Sequence, residues 1–210
     1  MADAKISGLT AASVMADANE FAINEAGVSK KLTGTLVKDW AGNVLRNQNT
    51  SDVSPGAGAT TYLTGSSIAI PVAKLRVGTV IRWTLGFTKT AAGTAARAHL
   101  IKLGTAGTTG DATIITLTSG TPSGAVDTGQ QVITCIIRGP LGASCIAAAI
   151  SSAIHQLSTT GLFANETEVL QVTSGTFDST TASLIIGLAV TTGASEALTY
   201  QVIFTEAYNL

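Results

Sequence analysis

The stretch Ile81-Arg82-Trp83-Thr84-Leu85-Gly86-Phe87-Thr88 decides the fold of this chain. Large apolar side chains alternate in it with polar or small ones. Because successive side chains of a β-strand point to opposite faces of its sheet, this alternation predicts a long strand with one buried face. The alternation returns at residues 198–205, with Ile203 out of phase, and predicts a second long strand near the C terminus.

Shorter apolar runs predict seven more strands, at 61–64, 67–72, 98–103, 112–118, 131–138, 168–173 and 183–191. Clusters rich in Gly, Ser, Thr and Asp separate several of them, at 104–111, 119–127 and 174–181, as expected of turns. The segment 146–154 has isoleucine at every fourth position, which fits a helix and also one face of a strand. We favour a strand because strands are predicted on both sides. With about eight to ten strands, the predicted fold class is mainly β, an antiparallel β-sandwich of jelly-roll-like type.

The composition excludes several classes of protein. Thr and Ala each occur 32 times and Gly 22 times, whereas charged residues make up 12% of the chain, about half of the share in an average soluble domain. A chain that is 45% hydrophobic with a net charge of −1 does not fit intrinsic disorder. The 12 basic and 13 acidic residues leave no basic excess, so we expect no nucleic-acid partner.

Neither a membrane segment nor a secretion signal is predicted. The longest stretch without a charged side chain, 139–165, contains Pro140 and many polar residues, whereas a membrane-spanning helix needs about 20 mainly apolar residues. Residues 1–5 lack the basic and apolar regions of a signal peptide. We therefore expect no membrane partner, and synthesis and assembly in a cytoplasm.

Charge density divides the chain into two parts. The first 49 residues hold 10 of the 25 charged residues. A stretch rich in Asn, Ser and Gly at 47–59 is typical of a linker or loop. We therefore predict an N-terminal docking segment at 1–51 and a jelly-roll-like β-sandwich domain at 52–210.

The N-terminal segment is predicted to contain a short hairpin and a short helix. Phe21 and Ile23 alternate with other residues, a turn signal follows at 24–27, and residues 28–32 can return as a second strand. One face of the helix would carry Leu36, Val37, Trp40 and Val44. A hairpin and a short helix bury too little surface to be stable alone, so this segment must dock on the body of the protein or on a partner.

No catalytic motif is present in the sequence. The glycine-rich run 104–110 lacks the Gly-Lys-Ser/Thr of a phosphate-binding loop. Glu166 and Glu168 could form a carboxylate pair on one strand face, although a solvated strand edge is favoured. We predict that the protein is not an enzyme and uses no cofactor.

No metal site is predicted. His99 and His155 have no Cys, Asp or Glu at ligand spacing, so each is expected to be a hydrogen-bonded strand residue. The predicted turns contain three aspartates: Asp111, Asp127 and Asp178. Asp in a turn usually forms hydrogen bonds with the local backbone, and a calcium loop is the alternative.

The two cysteines, Cys135 and Cys145, flank a possible hairpin turn at 139–142. Such a hairpin could place them opposite each other and allow a cross-strand disulfide. We favour two buried free thiols, because proteins made in the cytoplasm rarely contain disulfides.

The N-terminal sequence resembles a leader of tailed-bacteriophage virion proteins. The resemblance is carried by Lys5-Ile6-Ser7-Gly8-Leu9, by Asp17 to Ile23 and by Gly27-Val28-Ser29-Lys30-Lys31-Leu32-Thr33. Asn19-Glu20-Phe21 stands where that family often has Asp-Glu-Phe or Asp-Glu-Leu. Parts of the body, including 75–79 and 206–210, are also similar to phage structural modules.

The resemblance implies a virion structural protein that forms homotrimers of β-sandwiches and attaches to the virion through its leader. In a capsid decoration (cement) protein, the leader would bind the major capsid protein or another virion protein. The expected docking strip consists of Ile6, Leu9, Phe21, Ile23, Val28 and Leu32. Lys30 and Lys31 would pair with acidic residues of the shell.

Two other functions are open. A short tail or head fibre would bind a host-surface receptor through the loops 104–111 and 119–127, which contain neither Trp nor Tyr for stacking on a carbohydrate. A polysaccharide-cleaving enzyme would need two carboxylates in a cleft, and the body, residues 52–210, contains eight of the 13 acidic residues, at widely spaced positions apart from Glu166 and Glu168.

Overall fold

The computed structural model describes residues 20–25, 28–33, 44–71, 74–90, 93–157, 160–163, 165–180 and 184–210. Within these ranges the chain is built of antiparallel strands. The strands are β1 (Glu20–Glu25), β2 (Val28–Thr33), β3 (Val44–Asn49), β4 (Thr60–Tyr62), β5 (Ile68–Ile70), β6 (Val80–Lys89), β7 (Ala98–Gly104), β8 (Ala112–Thr118), β9 (Asp127–Ile137), β10 (Ala147–His155), β11 (Thr167–Thr173), β12 (Leu184–Thr191) and β13 (Leu198–Tyr208). Over the described residues, no helix is both long and apolar enough to cross a membrane.

The chain divides into two compact units between Asn43 and Val44. In the first unit, β1 and β2 form an antiparallel hairpin in which Glu25 pairs with Val28 and Glu20 with Thr33. The hairpin predicted from the sequence is therefore confirmed. Of the predicted helix, residues 34–43 lie outside the described part of the chain.

The second unit is a β-sandwich, as predicted. One sheet has six strands in the order β11-β10-β9-β6-β13-β3. The other has the order β4-β12-β7-β8, and β5 also pairs with β12. Since β7 occupies one edge of β12, β4 and β5 share its other edge, at 189–191 and 184–186 respectively.

The core lies between the two sheets. In β6 the predicted alternation is confirmed: Ile81, Trp83, Leu85 and Phe87 are buried. The opposite sheet contributes buried aliphatic side chains to the same cluster, among them Ile101, Leu117 and Leu188. The driving force is the removal of this apolar surface from water, at roughly 25 cal/mol per Å².

The segment between β4 and β5, residues 63–67, joins the two sheets through hydrogen bonds. Three consecutive carbonyls accept side-chain hydrogen bonds from the six-stranded sheet: Gly65 from Thr205 Oγ1 at 3.0 Å, Ser66 from Trp83 Nε1 at 2.7 Å, and Ser67 from Asn47 Nδ2 at 2.7 Å. Ser66 Oγ donates to the Leu188 carbonyl at 3.1 Å and accepts from the Leu188 amide at 3.0 Å.

Glycine is required within this segment. Gly65 has a φ of +86°, and a Cβ built on it would lie 2.4 Å from the backbone nitrogen of Asn49. A side chain at this position would therefore force the segment away from the six-stranded sheet. The close approach that glycine permits lets the carbonyls of 65–67 reach their donors.

The strand β10 is a strand, as favoured from the sequence, but its isoleucines face outward. Ile150 and Ile154 are 46% and 45% exposed. The buried face of this strand carries Ala147, Ala149 and Ala153 instead. The spacing of the isoleucines identified a common face without showing which face enters the core.

A β-bulge interrupts the alternation in β13, so the side chains predicted to be buried after Tyr200 are the wrong ones. The register of β13 against β6 shifts between Tyr200 and Val202. After the bulge the buried positions are Ile203, Thr205 and Ala207, whereas Val202 is 49% exposed. One extra residue moves every later side chain to the other face. The out-of-phase Ile203 was the sequence signal of this bulge.

The strand β3 lies where the sequence suggested the end of a helix and the start of a linker. Val44 begins this strand, so its expected place on a helical face is wrong. Residues 44–49 pair with β13 at the edge of the six-stranded sheet, before the position 51/52 at which the charge density suggested a boundary. Backbone pairing to β13 holds this strand. Its apolar signal in the sequence is weak, because Val44 and Leu45 are followed by four polar residues.

Both cysteines are free and buried, as favoured from the sequence. Cys135 pairs in register with Ala149, and Cys145 forms a bridge with Phe177, so the two residues do not face each other across a hairpin. Burial raises the pKa of the Cys135 thiol to about 12. It is therefore an inert core residue under neutral conditions.

We predict that Ser66→Ala lowers the free energy of unfolding by about 1–3 kcal/mol, because it leaves the buried amide of Leu188 without its hydrogen-bond partner, whereas the Leu188 carbonyl keeps the Leu63 amide at 2.9 Å. The adjacent Ser67→Ala is the control, since Ser67 takes part through its carbonyl, which the substitution retains. Denaturant titration of both variants measures the difference. Equal losses for the two variants would contradict the proposed role of the Ser66 hydroxyl.

Candidate functional site

The N-terminal hairpin contains six of the eight residues expected to dock on a virion. The register pairs Phe21 with Leu32, Ile23 with Lys30, and Glu25 with Val28, and it pairs Lys31 with Ala22. The hairpin thus brings these docking positions of β1 and β2 together. Ile6 and Leu9 lie outside the described residues.

The outer face of the six-stranded sheet, which points away from the other sheet, is a second candidate surface. It is formed by residues 44, 46 and 48 of β3; 199, 202, 204, 206 and 208 of β13; the even-numbered residues 80–88 of β6, 128–136 of β9 and 148–154 of β10; and the odd-numbered residues 167–173 of β11. We call this surface the outer face throughout.

The outer face exposes large aliphatic side chains on five of its six strands. Between 38% and 64% of each of the following is accessible: Val44, Ile136, Ile150, Ile154, Val169 and Val202. Among the described residues, no large apolar side chain of the five-stranded sheet is exposed to this degree. The two outward surfaces of the sandwich therefore differ in how many large aliphatic side chains they expose.

The strand register shows how these aliphatic residues are distributed over the outer face. Directly paired residues in neighbouring antiparallel strands have Cβ atoms about 4.5–5.5 Å apart. One row across the sheet runs through Val44, Tyr208, Val80, Ile136, Ala148 and Thr173. Another runs through Val202, Gly86, Gln130, Ile154 and Thr167.

Charge is almost absent from the outer face. Its three charged residues, Arg46, Glu206 and Arg82, are neighbours in one row. Arg46 Nε lies 3.3 Å from Glu206 Oε1. The remaining positions are aliphatic, aromatic, Thr, Ser, Gln or Gly.

Shallow depressions mark the outer face. Gly86, Gln130 and Ile154 border one of about 460 Å³. Ile136, Ile150 and Gln171 line another of about 220 Å³. The surface therefore has recesses as well as projecting aliphatic side chains, which is a shape that another protein surface can fill.

At one end of the sandwich, a buried cluster of charged residues holds the loops together. Arg97 and Glu196 are fully buried, and Arg97 Nη1 donates to Glu196 Oε1 at 3.1 Å. The guanidinium lies between the rings of Phe87 and Phe163, at 4.9 and 4.5 Å from their centroids. Its Nη1 also donates to the Leu162 carbonyl at 3.3 Å.

Asp127 and His155 form the second part of this cluster. His155 Nδ1 lies 2.5 Å from Asp127 Oδ2, and its Nε2 donates to the Asn165 carbonyl at 2.7 Å. Asp127 also accepts from the amides of Leu162 at 2.9 Å and Thr128 at 2.8 Å. Burial acts to raise the pKa of Asp127, but these hydrogen bonds outweigh it and hold the pKa below its usual value.

His99 is also a hydrogen-bonded strand residue. Its Nε2 lies 2.9 Å from the hydroxyl of Tyr200. Burial, with the nearby positive charge of Arg97, lowers the pKa of His99 to about 3, so the ring is neutral at physiological pH. Both histidines therefore have structural partners.

The turn aspartates cap backbone amides. Asp111 accepts from the amides of Ala106, Gly107 and Thr108, at 3.3, 2.7 and 3.2 Å. Asp178 accepts from the amide and the hydroxyl of Thr180. This local bonding is the one expected for Asp in turns, and no group of three or more His, Cys, Asp or Glu in the described ranges could hold a metal ion.

The possible carboxylate pair does not form a cleft. Glu168 lies in β11 and accepts from the Gly120 amide at 2.5 Å. Glu166 precedes that strand and is exposed. The two carboxylates therefore have different surroundings, and Glu168 is held by a backbone contact.

The two loops expected to contact a receptor lie at opposite ends of the sandwich. Loop 104–111 follows β7 and precedes β8, whereas loop 119–127 follows β8. A strand of seven residues separates its ends by roughly 23 Å at about 3.3 Å per residue. They cannot form one continuous binding site.

Two features were not predicted from the sequence: the buried Arg97–Glu196 pair and the exposed isoleucines of the outer face. Nothing local relates Arg97 to Glu196, because they are 99 residues apart and meet only in the folded chain. The position of the isoleucines on one face of β10 was visible in the sequence, because the residues of the other face are only Ala, Ser and His. Ile150 lies between two small residues and Ile154 between Ala153 and His155, so these neighbours do not show which face of the strand is buried.

No family model matches this chain, and the search among curated proteins finds no match. Among solved structures, the chain is similar to the CBM2 module of the evolved Dit of Lactobacillus casei BL23 phage J-1. The sequence identity is 11% and the TM-score 0.28, over 80% of this chain and 91% of that chain. A TM-score of this size does not establish a shared fold, and nothing about partners follows from it.

We predict that Asp127→Asn lowers the free energy of unfolding at neutral pH by about 1.5–3 kcal/mol, because several hydrogen bonds to a charged acceptor are lost. The folded-state pKa of Asp127 is lowered, so its contribution is complete above the unfolded pKa and is lost as the pH falls through the folded one. The wild type should therefore lose more stability than the variant between about pH 5 and pH 2.

Denaturant titrations across this pH range measure the effect. Asp178→Asn is the control, because Asp178 is an exposed turn carboxylate whose hydrogen bonds to Thr180 compete with water, so this change should lower the free energy of unfolding much less than Asp127→Asn does. If the free energy of unfolding changes with pH in the same way for the wild type and Asp127→Asn, the Asp127 carboxylate does not stabilise the loops around it.

Proposed function

We propose that this chain is a non-enzymatic structural protein of a tailed-phage virion. In the specific form that we favour, it is a capsid decoration (cement) protein that docks on the major capsid shell through its N-terminal segment and forms a homotrimer. The observation that carries the proposal is the division of the chain into a small hairpin-bearing unit and a large sandwich. The hairpin lies where the phage-type leader sequence occurs.

The buried polar groups of the sandwich support a structural role. Arg97, Glu196, Asp127 and His155 bond to one another or to the loop backbone. His155 borders the depression beside Gly86, but its side chain and that of Asp127 are fully buried and bond to each other and to the backbone. Their use is to fix the shape of the body.

Binding energy would act on the shell by mass action. A protein that binds only the assembled shell lowers the free energy of that state and leaves free capsid subunits unchanged. The hairpin offers both kinds of contact for this purpose, with apolar residues such as Phe21 and Ile23 and the basic pair Lys30 and Lys31. Many copies of a modest contact would together raise the temperature at which the particle opens.

The fibre function is the weaker alternative. It uses the same leader for attachment, but its two receptor loops lie at opposite ends of the sandwich. Loop 104–111 is also bound to the carboxylate of Asp111, which restricts its adaptation to a receptor. Copy number distinguishes the two functions, because a decoration protein is present in hundreds of copies and a fibre in a few trimers.

We predict that the double substitution Lys30→Glu and Lys31→Glu lowers the number of copies on purified particles at least tenfold, because it reverses the charge of the segment that would dock on an acidic shell. The matched control, Arg76→Glu with Arg138→Glu, makes the same charge change at exposed positions of the sandwich and should bind as the wild type does. Full-length proteins are added to particles that lack the protein, and bound copies are counted by quantitative mass spectrometry.

Heating the same particles tests the stabilising role. Particles that carry the wild-type protein should release their DNA at a higher temperature than particles without it. Equal release temperatures would overturn the cement function. A few bound trimers per particle would instead support the fibre.

A further inference from the structure

We propose that the outer face of the six-stranded sheet is the surface through which copies of this chain bind one another. The inference rests on the proposed function only for the expected number of three copies. It adds the location of the contact within the fold.

The exposure of aliphatic residues on this face is costly for an isolated sandwich. Soluble monomers rarely expose contiguous apolar patches larger than a few hundred Å². Here Ile136, Ile150, Ile154 and Val169 lie on three adjacent strands, and the described strands of the other sheet expose no comparable side chain. Burial of this one face against another surface would remove the asymmetry.

The size of the outer face matches a stable protein interface. Six strands about 4.8 Å apart and about nine residues long make a surface of roughly 29 Å by 30 Å, on the order of 800–900 Å². A standard interface buries about 800 Å² on each partner. The face is therefore large enough for specific association without help from other surfaces.

Charge favours a copy of the same chain as the occupant. Two arginines and one glutamate give the outer face a formal charge of +1, and Glu206 lies between Arg46 and Arg82 in the register. An acidic partner would find little positive charge here. Two copies of a chain with a net charge of −1 repel each other only weakly, and their neutral aliphatic faces can come into contact without desolvating many charges.

The contours of the face also suit a protein partner. The depression beside Gly86 and the one between Ile136 and Gln171 are recesses of side-chain size or larger. Projecting residues such as Val169 and Val202 are exposed on the same face. An aliphatic residue of one copy can fill a recess of the next, as in the close-packed centre of an interface.

The first test compares Ile150→Glu with Thr116→Glu. Both positions are exposed on strands, but Thr116 lies on the outward side of the five-stranded sheet and serves as the control. At about micromolar concentration the wild type and Thr116→Glu should form one oligomer, and Ile150→Glu should be monomeric or have a dissociation constant raised at least tenfold. Light scattering after gel filtration measures this, and circular dichroism shows that each variant is folded.

The second test uses thiol accessibility and does not depend on disrupting the assembly. Both native cysteines are buried, so Ser152→Cys adds the reactive thiol at an exposed position of the outer face, and Thr116→Cys is its control. In the oligomer, a maleimide should label Ser152→Cys at least tenfold more slowly than Thr116→Cys, for the reason that buried thiols are inaccessible. Combining Ser152→Cys with Ile150→Glu should restore fast labelling.

A wild-type protein that stays monomeric at this concentration overturns the inference, and so do equal labelling rates. Protection of Ser152→Cys only after binding to particles also overturns it, because the face would then bind the shell. These measurements use the purified full chain. They can fail while the Lys30/Lys31 experiment succeeds, or succeed while it fails, so the two proposals are tested separately.

Discussion

The short segment 63–67 sets how the two sheets are joined. It leaves the edge of β12 after β4 and returns to it as β5. Across this gap the Leu63 amide donates to the Leu188 carbonyl, and the Ser66 hydroxyl bonds both the carbonyl and the amide of Leu188. On its other side, three consecutive carbonyls accept hydrogen bonds from β13, β6 and β3. Because buried backbone groups require partners, this pattern fixes one position of the sheets relative to each other.

At the end of the sandwich where Arg97 and Asp127 lie, buried charged groups hold the loops in place. A buried ion pair is not automatically stabilising, because each charge loses its hydration. Here Arg97 is compensated by Glu196, by a carbonyl and by two aromatic rings, and Asp127 by backbone amides and His155. Removal of Arg97 or Glu196 leaves a buried charge without its partner, so this pair joins the segment before β7 to the segment before β13.

The sequence predicted what depends on local periodicity. The strand β8 has the bounds expected from its apolar run, and the alternation of β6 places its side chains on the correct faces. It could not predict features that arise from long-range pairing. The edge strand β3 is defined by hydrogen bonds to β13, and the Arg97–Glu196 contact joins distant parts of the chain.

Side-chain direction was the least predictable property. In β13 a single extra residue reverses the buried face after Tyr200, and only the out-of-phase Ile203 indicated it. In β10 the periodicity was correct, but it identifies a face without assigning it to the core. The pairing of the hairpin residues of the candidate docking strip could be predicted from a local turn signal in the sequence. The outer face could not be predicted in this way, because it is defined by the register of six strands.

The side-chain directions in β10, which the sequence did not predict, also bear on the proposed assembly. Its inner face contributes alanines to the core, while its larger side chains, Ile150 and Ile154, point outward. Burying an isoleucine stabilises a protein by about 1.5–3 kcal/mol relative to leaving it exposed, and an exposed one gains little of this. In a monomer, threonine would serve these positions equally well and keep the surface soluble. Isoleucine stabilises the protein at these positions when a second surface covers them. Because the body has few charged residues, such a contact desolvates few charges.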